Sequence, residues 1–183
     1  MNGKYWGEVK SKAPKGAQNT DNDKHISVQE NKIYYYAGVN RDSAVELNKK
    51  IAELESKSLS LSNRLDINPP SIKILINSGG GSIVDGISSM DTILRCKVPI
   101  HTYVDGFVAS SATFLSVVGT HRLMSRNSYM LIHQLSTNFW GTYSRFEDEY
   151  TKVPMKELDT ILKHDLLWDA KKCLDMGMID EII

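Results

Sequence analysis

The sequence predicts an α/β fold of repeated βαβ units, and three observations predict it. A short apolar run, Ile72-Lys-Ile-Leu-Ile76, stops at a glycine triplet; a helical pattern follows; a second strand candidate, Pro99 to Val104, comes next. That succession is a βαβ unit, which carries parallel strands. At 183 residues the chain is near the size of one domain with one main core.

Residues Met1 to Lys24 carry five lysines among Gly, Asn, Gln and Asp and offer little apolar surface, so they are expected to form a flexible arm ahead of a domain over 25–183. Ile26, Val28 and Ile33 to Tyr36 form a strand-type set ending at Ala37-Gly38. Ser43-Ala-Val-Glu46 fits a capping box, and Ala44, Leu47, Ile51 and Leu54 continue at helical spacing, which predicts a helix to about Ser56. After the Ile72–Ile76 strand, the apolar face of the next helix reads Ile83, Ile87, Met90 and Leu94. Asp105-Gly106 closes the strand that follows it. A second cycle places a helix from Ala109 to Val118 and strands at Arg122–Met124 and Tyr129–His133. Tyr143–Lys152 and Pro154–His164 read as helical pieces, with Pro154 tolerated in a first turn, and Asp169–Met176 is a last helix stopped by Gly177.

Composition excludes several functions. The 22 Lys plus Arg balance 22 Asp plus Glu, so there is no broad basic field of the kind duplex nucleic acid or an anionic membrane attracts. No apolar run approaches a membrane span of ~18 residues, and the first residues lack an apolar signal segment. The expectation is a cytoplasmic protein with neither nucleic-acid nor membrane partners. Cys96 and Cys173 have no CxxC spacing and read as small core residues.

Asn77-Ser-Gly-Gly-Gly81 lies between a strand and a helix, where backbone N–H groups are free to meet an anion. It matches neither nucleotide motif: Val84 replaces the third glycine of a dinucleotide fingerprint, and Ile87 stands where a P-loop needs lysine. An ordinary tight turn and an oxyanion cradle both remain open. In Gly106-Phe-Val-Ala-Ser-Ser-Ala-Thr113, Ser110 is either a helix cap or packing serine, or an exposed nucleophile whose following N–H faces an oxyanion. His133 ends an apolar run as a core histidine or a base; His25, His101, His121 and His164 are weaker candidates. No HExxH or HxH spacing marks a metal site, and Asp165 gains a role only from a partner histidine.

Taken together, Ile76-Asn-Ser-Gly-Gly-Gly81, Gly106-Phe-Val-Ala-Ser-Ser-Ala112, Met130-Leu-Ile-His-Gln134 and Asp165 with Ala170, Gly177, Ile179 and Asp180 resemble the ClpP family, the proteolytic subunit of the ATP-dependent Clp proteases. The resemblance spans about Ile33 to Ile183. It implies a ClpP/crotonase-like fold and a serine endopeptidase with Ser110 as nucleophile, His133 as general base and Asp165 orienting it. Gly81 and Ser111 would supply oxyanion N–H groups. It implies no cofactor or metal, ATP being used only by a partner AAA+ ATPase, and heptameric rings, single or stacked, acting on peptides and unfolded proteins.

The chain departs from the family pattern at identifiable places. Gly79 and Leu135 stand where proline is usual. Ser111 and Ala112 replace methionine and glycine, which makes Ser111 a rival hydroxyl. Only 31 residues separate His133 from Asp165, so the handle that joins rings is shortened, with Phe139 and Trp140 either contact aromatics or a cover for the core. Arg95 and Asp105 fall where the ATPase-docking cleft is usually apolar. Two other functions compete: a non-catalytic ring subunit, and a crotonase-fold acyl-CoA enzyme that needs no triad.

Overall fold

The computed structural model describes residues 24–132 and 166–183. The expected arm up to residue 23, the helices expected over 143–152 and 154–164, and the residues His133, Phe139, Trp140, His164 and Asp165 lie outside the described residues.

Among the described residues, eight strands and four helices build one sheet. The chain runs β1 (Lys24–Gln29), β2 (Lys32–Ala37), α1 (Arg41–Leu65), β3 (Ile72–Ser78), α2 (Ile83–Arg95), β4 (Ile100–Ala109), α3 (Ala112–Val117), β5 (His121–Met124), β6 (Tyr129–Ile132), β7 (Leu166–Asp169), α4 (Ala170–Asp175) and β8 (Glu181–Ile182). The strand order is β1-β2-β3-β4-β5-β8, with β6 joining β4 to β7. β2, β3, β4, β5 and β8 are parallel, as βαβ connections require, while β1 and β7 pair antiparallel with their neighbours.

The first strand-type set is in fact a hairpin. β1 and β2 pair from Lys24↔Ala37 to Gln29↔Lys32, turning through Glu30 at φ 56°. No glycine marks that turn, so composition concealed it, and Lys24, expected to end the arm, instead opens β1.

Helix α1 is capped by Asn40, not Ser43. Ser43 N donates to Asn40 Oδ1 at 3.0 Å while Asn40 N donates to Ser43 Oγ at 2.9 Å, so Ser43 does at N3 what glutamate does in the usual box. The helix also continues past Ser56 to Leu65, through serine-rich turns that carry no apolar stripe. Buried Ser58 packs by donating to Pro70 O at 2.6 Å, a contact that apolar periodicity does not register.

In α2 the deepest residues are Gly86, Ser89 and Ile93, with Ile83, Ile87 and Met90 flanking and Leu94 exposed. Small residues face inward because the start of α3 lies against them. A Cβ added at Gly86 would sit 3.2 Å from Ser111 Cβ and 3.4 Å from a Phe114 ring carbon.

β4 is longer than expected because Asp105-Gly106 does not end it. Between the pairs Ile76↔Val104 and Ser78↔Val108, β3 advances two residues while β4 advances four, so Asp105-Gly106 form a bulge. The Gly106 N–H freed there donates to Ser128 Oγ at 2.7 Å. Before the bulge β4 pairs with β5, and after it with β6. The helix expected from Ala109 starts later, at Ala112, because the intervening residues make the turn described below. Cys173 is fully buried and Cys96 partly so, and neither is in a disulfide. No described helix is long and apolar enough to cross a membrane.

The sheet closes at β8 through an ion pair. Arg122 donates from Nε and Nη2 to the two Asp180 oxygens at 3.0 and 2.6 Å, and from Nη1 to Gly177 O at 2.9 Å. The Arg122 hydrogen bonds hold the Asp180 carboxyl below the ordinary aspartate range despite partial burial. A depressed folded pKa gives stability that is present above the unfolded pKa and lost as pH falls through the folded one. Asp180→Asn is therefore expected to melt at a lower temperature than the parent chain at neutral pH. The difference should close below pH ~4, as followed by thermal melts across pH.

Candidate active site

Two strand ends meet at the carboxyl edge of the parallel sheet. β3 ends in Gly79-Gly80-Gly81, and β4 ends at Ala109 ahead of Ser110-Ser111. Val39 ties the first end down. Its N–H donates to Gly80 O at 2.8 Å and its carbonyl accepts from Ser82 N at 2.8 Å, forming a parallel bridge with Gly81. The bridge leaves the Gly81 N–H facing away from Val39, and that group has no acceptor among the described residues. Two of these positions require glycine. A Cβ on Gly81 (φ 148°) would lie 2.2 Å from Val39 O; one on Gly80 (φ 85°) would lie 2.5 Å from Ala109 O and 2.7 Å from Ser110 Cβ. Gly80 therefore makes a close backbone contact with the Ser110 turn, and Gly81 with Val39.

Ser110 is not a helix cap. It adopts φ 54°, in the left-handed region that a non-glycine residue enters at a cost of ~1–2 kcal/mol. Three hydrogen bonds hold it there: Ser110 N to Leu131 O at 3.2 Å, Thr113 N to Ser110 O at 2.9 Å, and Thr113 Oγ1 to Ser110 O at 2.6 Å. The result is a strand-to-helix elbow with Ser110 half exposed. The following residue, Ser111, is fully buried, and its Oγ has no hydrogen-bond partner among the described residues. Burial withdraws that hydroxyl from any substrate, so Ser111 is not a rival nucleophile. Its backbone N–H, like that of Gly81, has no acceptor among the described residues. A Cβ on Gly80 would lie 3.1 Å from Ser111 N, which places the two amide-bearing segments side by side.

β6 and β7 continue the site. β6 pairs with the end of β4 through Ala109↔Leu131, and with β7 through Leu131↔Leu167 and Ile132↔Leu166. His133 and Asp165 lie outside the described residues; each is the next residue along the chain from a member of the last pair. β7 itself was missed by sequence reading, which began the last helix at Asp169. That residue caps α4, its Oδ1 accepting from Lys172 N at 2.8 Å. Val39, which fixes the glycine loop, carried no sequence signal, because it holds the loop through its backbone while its side chain is simply buried in the core. Among the described residues no three His, Cys, Asp or Glu side chains are grouped to hold a metal ion.

Comparison with known proteins places the chain in a family. The Clp protease family model matches residues 15–153. The ATP-dependent Clp protease proteolytic subunit 1 of Prochlorococcus marinus is 31% identical over 131 residues, covering 61% of this chain and 67% of that protein. Among solved structures, a ClpP1 variant from Listeria monocytogenes superposes with a TM-score of 0.71 at 22% identity, covering 84% of this chain and 91% of that one. The ClpP protease catalytic domain from Plasmodium falciparum gives 0.69 at 25% identity, covering 84% of each chain. A parallel sheet with a glycine loop and a serine elbow at neighbouring strand ends is thus an α/β fold of the ClpP/crotonase-like class. The chain belongs to the Clp protease family.

The elbow has a measurable signature. Ser110→Gly removes the side chain without the left-handed penalty that Ser110→Ala retains. Ser110→Gly is therefore expected to be the more stable of the two by about 1 kcal/mol in denaturant titrations. Equal stabilities would show that the elbow is relaxed in solution.

Proposed function

We propose that this chain is a proteolytic subunit of the Clp type, a serine endopeptidase that cleaves peptides and unfolded proteins. Ser110 is the nucleophile, His133 the general base and Asp165 the carboxylate that orients it. One observation carries the reading: the Ser110 N–H is bonded to Leu131, two residues before His133, while β6 and β7 pair as far as Ile132↔Leu166, one residue short of both His133 and Asp165. What supports the reading is that the described ends of β6 and β7 are tied to the Ser110 turn, and that the resemblance to the family assigns the base and its carboxylate to the residues adjoining those ends in the sequence.

In the proposed mechanism neutral His133 takes the Ser110 Oγ proton as Oγ bonds to the peptide carbonyl carbon. Asp165 fixes the imidazole tautomer and stabilises imidazolium. The carbonyl oxygen becomes an oxyanion between the Gly81 and Ser111 N–H groups. Each such donor is typically worth ~2.7–4 kcal/mol to the transition state. Collapse breaks the C–N bond, and the leaving amine takes the proton from His133. Water, activated by the same imidazole, then hydrolyses the acyl-enzyme and restores Ser110. No cofactor or metal enters these steps. By resemblance to the family, the subunit works in the cytoplasm as a heptameric ring, single or stacked, fed by an AAA+ ATPase that alone consumes ATP. Two unpaired cysteines suit a reducing compartment.

A fluorophosphonate followed by intact-protein mass spectrometry tests the assignment. The parent chain is expected to gain one adduct, Ser111→Ala to keep it and Ser110→Ala to lose it. An adduct on Ser110→Ala, or none on the parent assembled at micromolar concentration, refutes the nucleophile. Peptidase activity is also expected to fall as pH drops through ~6.5, where a histidine of ordinary pKa becomes protonated and no longer accepts the serine proton. A flat profile below that pH removes His133 from the role.

A further inference from the structure

One side-chain contact in the sheet skips a strand. The Tyr36 hydroxyl on β2 donates to Asp105 Oδ2 on β4, and β3 lies between them. The register shows how. Tyr35, Ile76 and Val104 share a row across the three strands, and Tyr36, Asn77 and Asp105 each come one residue further along. Adjacent strands lie ~4.8 Å apart, so the contact bridges ~10 Å past Asn77. Tyr36 is itself well held: its ring meets that of Tyr34 edge to face at 6.0 Å. Burial, and then the hydrogen bond and charge of Asp105, push its phenol up to about 12, so the hydroxyl keeps its proton and remains a donor through the neutral range.

Asp105 opens the bulge of β4. Pairing with β3 stops at Ile76↔Val104 and resumes at Ser78↔Val108, so the ladder to β3 does not fix Asp105, Gly106 or Phe107. Gly106 adopts φ 93°, and a Cβ there would lie 2.7 Å from Asn77 Nδ2. Among the described residues three side chains therefore close on the bulge: Tyr36 on the Asp105 carboxylate, Asn77 on Gly106, and buried Ser128, whose Oγ accepts from Gly106 N at 2.7 Å. The Tyr36–Asp105 contact runs from side chain to side chain, so either half can be removed with the backbone left intact. Beyond the bulge lies the strand end that carries the serine. From Phe107↔Tyr129 to Ala109↔Leu131, β4 pairs with β6, and Ser110 N donates to Leu131 O at 3.2 Å. A bulge that slid by one residue would turn that end over and present a different residue to Leu131.

We propose that Tyr36 and Asp105 are positioning residues: their contact fixes where β4 resumes its ladder after the bulge, and so fixes the Ser110 elbow against β6. The kinetic consequence rests on Ser110 being the nucleophile, whereas the structural one rests on the sheet alone. Neither side chain touches the reacting atoms. They act through the β4 backbone, and a nucleophile misplaced by a fraction of an ångström loses rate while the surface that binds substrate is retained.

Amide hydrogen exchange and phosphonate labelling of the full-length chain test the two parts. Tyr36→Phe keeps the ring and removes the hydroxyl. In that variant, exchange across residues 104–113 is expected to rise about tenfold while exchange across 72–76 stays as in the parent. Asp105→Ala is expected to match it, and the double variant to be no worse than either, because both remove one contact. Asp105→Asn, whose amide oxygen still accepts from the phenol, is expected to restore most of the protection. Labelling of Ser110 by a fluorophosphonate is expected to slow about tenfold in Tyr36→Phe, and kcat on a peptide to fall by a similar factor with KM unchanged. Parent-like exchange over 104–113 in both Tyr36→Phe and Asp105→Ala overturns the proposal. So does a uniform rise that includes 72–76, an Asp105→Asn variant that behaves like Asp105→Ala, or a raised KM at constant kcat. A parent chain that takes no adduct refutes the nucleophile instead, and the exchange result still decides whether the contact fixes the strand end.

Discussion

The structure depends on one close approach: the backbone of Gly80-Gly81 lies against that of Val39 on one side and of Ala109–Ser111 on the other, nearer than any side chain permits. The 2.2 Å and 2.5 Å separations that a Cβ would face at Gly81 and Gly80 are far inside contact distance, so an alanine at either position must move a strand end. Because β3 and β4 are adjacent and in register up to Ile76↔Val104, a shift at the loop is transmitted to the core, where Ile74, Ile76 and Val104 are almost wholly buried. The position of the Gly81 and Ser111 amides is thus set by packing in the sheet and not by the loop alone.

The bulge at Asp105-Gly106 is the second half of the same constraint. A regular β4 would carry its pairing with β5 to the end and bring Ser110 out beside that strand. Two extra residues turn its last portion onto β6 instead, and β6 in turn holds β7. This break in the ladder therefore converts a simple parallel sheet into one whose serine turn faces an antiparallel pair. The cost of interrupting the ladder is limited because Ser128 accepts the Gly106 N–H.

The sequence makes legible what large apolar side chains and glycines encode. The α/β class, the Ile72–Ile76 strand, the helix after the glycines and the paired Ser110 and Gly81 motifs all follow from patterns of that kind. Features made by polar atoms stay hidden: Asn40 replacing Ser43 as a cap, the serine-rich half of α1, and the inward Gly86-Ser89 line of α2. Short strands at sheet edges are hidden too. β7 and β8 hold four and two residues, too few for periodicity to mark, and each owes its strand state to a partner distant along the chain. Val39 shows the limit most plainly, since any residue but proline could supply its N–H and carbonyl.

The elbow itself is close to energetic balance, and that explains why it needs the surrounding sheet. A left-handed serine costs ~1–2 kcal/mol, and the buried Ser111 hydroxyl, without a partner among the described residues, adds a desolvation cost of ~1–3 kcal/mol. Against these stand the Ser110–Leu131 bond and the two from Thr113, each worth ~1 kcal/mol net. The local terms nearly cancel, so the turn would not persist as an isolated segment. What holds it is the packing of Ala112 and Leu115 into the core on one side and the glycine backbone on the other. An over-determined surround of this kind keeps Ser110 in a conformation that its own residue type disfavours.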